Sequence, residues 1–122
     1  MKWLTLILLA SGLGIASTVS AEETPQEIDF LISAVAESGC TFHRNGFNYS
    51  SQRAAKHLQM KYSRGKKYVA TTEEFIDILA SKSSITGKPY TITCRDDETE
   101  KVRDWLMRNL SYYRENHHEG QM

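Results

Sequence analysis

The amino-acid sequence predicts a mostly helical α+β fold in which about four helices pack on a small two- to three-stranded antiparallel sheet, with one disulfide. Four segments repeat apolar residues at helical spacing, and shorter segments alternate apolar with polar residues as strands do. Asn45-Gly46, between two such alternating runs, is a strong signal for a hairpin turn.

Residues 1–21 have the features of a secretory signal peptide. Lys2 gives a positive start, about 13 mostly apolar residues follow from Trp3 to Ile15, and Ala21 ends a run of small residues. The apolar run is shorter than the ~20 residues that span a bilayer. We expect cleavage after Ala21, which leaves 122 − 21 = 101 residues; the alternative is an uncleaved N-terminal anchor.

The rest of the chain is predicted to form one globular domain, residues 22–115, with a disordered tail at 116–122, where apolar periodicity ends. Without Lys2 the chain has 15 − 1 = 14 basic and 15 acidic residues. Nucleic acid and anionic membranes require a basic face, so neither is predicted as the main partner. No integral membrane segment is expected after signal removal, because no later run is apolar enough.

The mature chain contains two cysteines, Cys40 and Cys94, and in an exported protein a disulfide between them is the first expectation. Such a bond would close a loop of about 54 residues and stabilise the domain by up to about 4 kcal/mol. A reactive thiol or metal site is the alternative, but neither cysteine belongs to a C-x-x-C pair.

The first two helices flank the predicted hairpin. Helix one should begin at Thr24, with Glu27 completing a capping box, and should end near Gly39. Two alternating strands then meet at the Asn45-Gly46 turn, and Ser50 is the expected N-cap of helix two. The predicted core stripes are Ile28, Leu31, Ile32 and Val35 in helix one, and Ala54, Ala55, Leu58 and Tyr62 in helix two.

The second half of the chain contributes two more helices and a strand. Thr71 and Glu74 form a second capping-box pattern before the apolar residues Phe75, Ile76, Leu79 and Ala80. A Ser-rich exit and a turn at Gly87 lead to an alternating strand at 90–94. The mainly acidic run Arg-Asp-Asp-Glu at 95–98 suits the start of the last helix, in which Trp105 is the expected largest contributor to the core.

Several motifs resemble the YfeK-like family, small exported periplasmic proteins of Gram-negative bacteria with no assigned function. The matching runs include Phe-His-Arg-Asn-Gly at 42–46, Ala-Ala-Lys-His-Leu at 54–58, and Ser-Lys-Ser-Ser-Ile-Thr-Gly-Lys-Pro-Tyr at 81–90. The resemblance covers roughly residues 24–94 and leaves the last helix outside. The resemblance implies a periplasmic, secreted protein and does not imply any enzymatic reaction.

The predicted ligand site is a polar pocket that offers donors to an anion. Its residues are Arg44, His57, Ser83, Ser84 and Lys88. Arginine presents a fork of donors to a carboxylate or phosphate. The alternatives are that Arg44 is only a charged neighbour of the turn, or that it pairs internally with Glu73 or Asp77.

No catalytic residue, cofactor or metal ligand set is predicted. His57 as a general base would need an orienting carboxylate and a nucleophile, and no Gly-x-Ser-x-Gly or Ser-x-x-Lys motif is present. Residues 117–119, His-His-Glu, offer too few ligands for a metal centre. We therefore expect a non-enzymatic envelope protein that binds a protein partner or a small anionic ligand. The alternatives are a hydrolase of peptide or cell-wall material that uses His57, and a redox or chaperone role for the cysteines.

Overall fold

The structure is a computed structural model that describes residues 23–95 and 98–120, with side chains described up to residue 117. The predicted signal peptide at residues 1–21 lies outside these ranges, as do Glu22, Asp96, Asp97 and the last two residues. The helices are α1 (Thr24–Glu37), α2 (Ser51–Gly65), α3 (Thr72–Glu74) and α4 (Val102–Gly120), and the strands are β1 (Thr41–Arg44), β2 (Phe47–Tyr49), β3 (Thr91–Thr93) and β4 (Thr99–Lys101). A 3₁₀ turn, Lys66–Tyr68, follows α2, and a π-helical turn, Phe75–Ala80, continues α3.

The predicted α+β fold is confirmed, with a sheet of four strands where two or three were expected. The strand order is β2-β1-β3-β4, and every neighbouring pair is antiparallel. Phe42 in β1 lies opposite Tyr49 in β2 and Ile92 in β3, so these side chains share one face of the sheet. His43 and Thr91 lie on the opposite face.

The prediction that residues 95–98 lead directly into the last helix is wrong. Thr99–Lys101 forms the extra strand, β4, and α4 begins only at Val102. The strand escaped detection because it is short and polar and lies at the sheet edge, where no face needs an apolar pattern. At its other end, α4 continues to Gly120, beyond the predicted domain boundary at residue 115.

The core lies between the helices and one face of the sheet. α1 packs on α2 and α4, and the π-helical turn packs on α2 and α4. The fully buried large side chains are Ile28, Leu31, Val35, Phe75, Ile76, Ile92, Val102, Leu106 and Leu110. Trp105 is partly buried at the core edge, where its ring packs edge-on against Phe42. No helix in the described ranges is both long and apolar enough to cross a membrane.

The predicted disulfide is present between Cys40, just before β1, and Cys94, just after β3. β1 and β3 are neighbours in the sheet, and Thr41 pairs with Thr93 directly beside the two cysteines. The bond therefore fastens the ends of the two central strands, which are separated by about 50 residues of chain that include the hairpin, α2 and α3.

Glu27 does not cap α1 as predicted. The N-cap residue is Glu23, which makes no side-chain cap, while the carboxylate of Glu27 is buried. Glu27 accepts a 2.6 Å hydrogen bond from the Thr72 hydroxyl and bonds of 2.8 and 3.0 Å from the Arg114 guanidinium. Arg114 also donates to Glu73, so this polar cluster connects α1, α3 and α4.

Candidate functional site

Arg44 stands at the end of β1, where the hairpin turn begins. Asn45 and Gly46 both have positive φ, 52° and 84°, as a tight two-residue turn requires. The turn places β2 beside β1, and the guanidinium carbon of Arg44 lies 4.3 Å from the centroid of the Tyr49 ring. This cation–π contact holds one face of the arginine and fixes its direction.

His57 projects from α2 against Arg44. Nη1 of Arg44 lies 3.2 Å from Nδ1 and 3.1 Å from Nε2 of the imidazole. An atom in the ring plane at these two distances would collide with Cε1, which lies between the nitrogens, so Nη1 lies over the ring face. A guanidinium has five N–H donors, and those not directed at the ring are available to a further acceptor.

Lys61 brings a second cation to the same place, one helical turn after His57 on the same face of α2. Its ammonium group donates to the carbonyl of Lys82 at 3.0 Å and to the Tyr90 hydroxyl at 3.4 Å. The Tyr90 hydroxyl is also 3.5 Å from Nε2 of His57. We call Arg44, His57 and Lys61, with Tyr49 and Tyr90, the basic pocket.

The pKa values of both titratable bases in the basic pocket, His57 and Lys61, are lowered. Burial, and then the charges of Arg44 and Lys61, lower the pKa of His57 from 6.5 to about 4. Burial and the Arg44 charge also lower the pKa of Lys61, and burial raises the pKa of Tyr90. At neutral pH the imidazole is therefore uncharged and lies between two cations.

The carboxylates proposed from sequence as internal partners of Arg44 bind elsewhere. Glu73 accepts from Arg114 at 2.7 Å, and Asp77 accepts from Arg103 at 2.7 Å. Among the side chains that the structure describes, no carboxylate lies within 4.0 Å of the charged nitrogens of Arg44 or Lys61. The internal-pair alternative for Arg44 is therefore wrong for the described chain.

Two spaces border the basic pocket. On the inner side is a small cavity of about 20 Å³, with room for about one water molecule. On the outer side is an open groove of about 450 Å³ between α2, the π-helical turn and the loop before β3. Arg44, His57 and Tyr90 line both spaces, and none of the described residues that line either one is acidic.

The structure brings four of the five predicted site residues to this groove. Arg44 and His57 are in contact, and Ser83 and Ser84 line the groove nearby. The Ser83 hydroxyl is buried and accepts hydrogen bonds from the backbone N–H groups of Ile85 and Thr86, so it shapes the loop. Lys88 does not join them, because it lines a separate depression at the hairpin turn.

Sequence reasoning missed Lys61 and both tyrosines. The i, i+4 spacing of His57 and Lys61 on α2 was available as a signal for Lys61. Tyr90 carried no such signal, because its approach to His57 depends on how the strand meets α2, and that is a tertiary contact. Tyr49 lies at the end of β2, and its contact with Arg44 follows only from the hairpin register.

The pocket presents basic side chains to a groove, and its described residues lack the partners that a general-base histidine needs. The described contacts of the His57 ring are with Arg44 and Tyr90, and no carboxylate orients the imidazole. Ser83, a serine that lines the groove, uses its hydroxyl on the loop backbone. Among the residues that could be searched, no group of three potential metal ligands is present.

Together these features define a small, disulfide-linked α+β protein with a basic pocket beside an open groove. The chain belongs to a family of unknown function, DUF5329, whose model matches residues 22–114. It is similar to the uncharacterized protein YfeK of Salmonella typhimurium, with 40% identity over 75 residues. That alignment covers 61% of this chain and 62% of the relative, so the chain spans less than two thirds of it. No solved structure matches.

Proposed function

We propose that this protein is a small, exported, non-enzymatic envelope protein that binds a small anionic ligand, or an anionic group of a protein partner, in the basic pocket. The observation that carries the proposal is the convergence of Arg44, His57 and Lys61 without a described carboxylate within 4.0 Å of Arg44 or Lys61. An anion placed there would relieve repulsion between the cations and gain charge-assisted hydrogen bonds.

Arg44 is held ready for such a ligand. Its guanidinium contacts the rings of both Tyr49 and His57, so little side-chain entropy would be lost on binding. The neutral imidazole can accept a proton when an anion arrives, which would add a third positive charge. Both properties favour binding over structural support, since the pocket as it stands contains unfavourable charge contacts.

Inorganic phosphate and acetate are suitable probes for an amide-shift NMR titration at pH 7 and low salt. We expect saturable shifts around residues 44, 57 and 85, and at least tenfold weaker binding in Arg44→Ala. Arg108→Ala, which removes an exposed arginine paired with Glu100, is the matched control and should bind as the native protein does. Absence of saturable shifts in the native protein, or equal weakening in both variants, would refute the proposal.

Export through a cleaved signal peptide to the periplasm is supported by the disulfide and by the residue pattern before Glu22. The test is the intact mass of the protein recovered from the periplasm of a Gram-negative host. The expected mass corresponds to a chain that begins at Glu22 and contains no free thiol. Recovery of the full-length chain in the cytoplasm with two free thiols would contradict export.

A further inference from the structure

The groove beside the basic pocket is unusual in its apolar content. Six large apolar side chains are exposed in the described part of the chain, and three of them, Met60, Tyr68 and Ile85, line this groove. Ile85 is 93% exposed at the tip of the loop between the π-helical turn and β3. Burying such side chains against a ligand would gain about 25 cal/mol for each Å² of apolar surface.

The groove therefore joins a cationic end to an apolar wall. Arg44, His57 and Lys61 lie at the cationic end, together with Tyr90. A complementary ligand carries a negative charge and, a few ångströms from it, an apolar group. A volume of about 450 Å³ is in the range of small-ligand sites and holds about two or three amino-acid residues.

Polar groups lie among the apolar ones along the groove, and this favours a peptide over a hydrocarbon chain. Ser84 and Arg64 line it beside Ile85 and Tyr68. An alkyl tail would cover the hydroxyl and the guanidinium without offering a hydrogen bond, which costs free energy. A peptide backbone offers N–H and C=O groups at short intervals, so it can satisfy such neighbours while its side chains contact the apolar wall.

We propose that the groove binds the C-terminal end of a polypeptide, with the α-carboxylate in the basic pocket and an apolar last side chain against Ile85, Tyr68 and Met60. This rests on the proposed anion-binding function and names its ligand class. A forked guanidinium matches the two oxygens of a carboxylate, and the Lys61 ammonium group lies within reach of the same space. A chain terminus is the place where a peptide carries both features next to each other.

Isothermal titration calorimetry with the mature protein at pH 7 tests the proposal. The probes are N-acetyl-Ala-Ala-Leu as the free acid, the same peptide as the C-terminal amide, N-acetyl-Ala-Ala-Ser as the free acid, and octanoate. The leucine acid should bind at least tenfold more tightly than either the amide or the serine acid. Octanoate should bind more weakly than the leucine acid.

Two substitutions separate the apolar wall from the basic pocket. Ile85→Ser should reduce the preference for leucine over serine about fivefold or more. Ile78→Ser is the matched control, because Ile78 is an exposed isoleucine on the π-helical turn that does not line the groove. It should keep the full preference. An equal loss of the leucine preference in both variants would show that Ile85 does not contact the last side chain of the peptide.

The outcomes distinguish this proposal from the one on which it rests. If phosphate and acetate bind but the leucine acid binds no more tightly than acetate, the peptide assignment is wrong and anion binding stands. If octanoate binds as tightly as the leucine acid, the ligand is an amphiphilic acid and the peptide assignment is again wrong. If no anion binds, both proposals fall.

Discussion

At the scale of single residues, Glu27 is the most buried charged group described, and its environment explains how the helices are held together. Only 4% of its side chain is exposed, and both oxygens accept hydrogen bonds, from Thr72 and Arg114. The two carboxylates around Arg114 raise the pKa of its guanidinium, and the hydrogen bond from Arg114 lowers the pKa of Glu73. Burying a carboxylate is tolerable here because it is paired and hydrogen-bonded.

Replacing Arg114 by methionine should lower the free energy of unfolding by about 2–3 kcal/mol, because Glu27 would stay buried without its cation. The loss is below that of a fully buried pair because a third of the Arg114 side chain is exposed and screened by solvent. Urea denaturation at pH 7 measures the effect. Arg108→Met removes an exposed pair and should cost less than about 1 kcal/mol. Comparable losses in the two variants would contradict a structural role specific to Glu27.

The lowered pKa of His57 predicts a pH dependence of stability. Its pKa is about 4 in the folded protein against 6.5 unfolded. Between these values the unfolded chain binds more protons, so the free energy of unfolding falls as the pH is lowered from 6.5 to 4 and gains no further His57 effect below 4. His57→Gln lacks this contribution. Measured by urea denaturation, the free energy of unfolding should fall more between pH 7 and pH 5 in the native protein than in His57→Gln. An equal fall in the two proteins would be evidence against a lowered pKa of His57.

At the scale of elements, the disulfide joins the ends of β1 and β3 across 54 residues of sequence. Replacing both cysteines, Cys40→Ala/Cys94→Ala, should lower the free energy of unfolding by up to about 4 kcal/mol, because the unfolded chain regains loop entropy. A domain of this size has about 5–15 kcal/mol in total, so the variant should be marginally folded. Urea denaturation checks this, and dithiothreitol should not change the variant further. A loss below 1 kcal/mol would contradict it.

Most elements were predictable because local chemistry determines them. The Ser50 cap is present as expected, and so are the turn at Asn45-Gly46 and the Thr71 hydroxyl that accepts from the Glu74 N–H group. The capping-box geometry is incomplete, because the Glu74 carboxylate accepts from Ala70 instead. The π-helical turn was not predicted, since the apolar stripe of Phe75–Ala80 does not reveal five-residue spacing of backbone bonds.

At the scale of the whole molecule, the candidate site is a meeting of three distant segments. Arg44 comes from β1, His57 and Lys61 from α2, and Tyr90 from the position just before β3. Arg44 and His57 could be predicted as site residues from their side-chain chemistry. The absence of a described carboxylate beside Arg44 could not be predicted from sequence. Glu73 and Asp77 were possible partners of Arg44, but in the structure they pair with Arg114 and Arg103 of α4.

The central claim is that three basic groups share one pocket, that no described carboxylate pairs with Arg44 or Lys61, and that the pocket accepts an anion from outside. The most direct measurement is the pKa of His57, from its imidazole ¹H–¹³C shifts, in the mature protein with and without saturating inorganic phosphate. The account predicts a pKa of about 4 in the free protein and a clear rise when phosphate is bound. A histidine that titrates near 6.5 and does not respond to phosphate would contradict it.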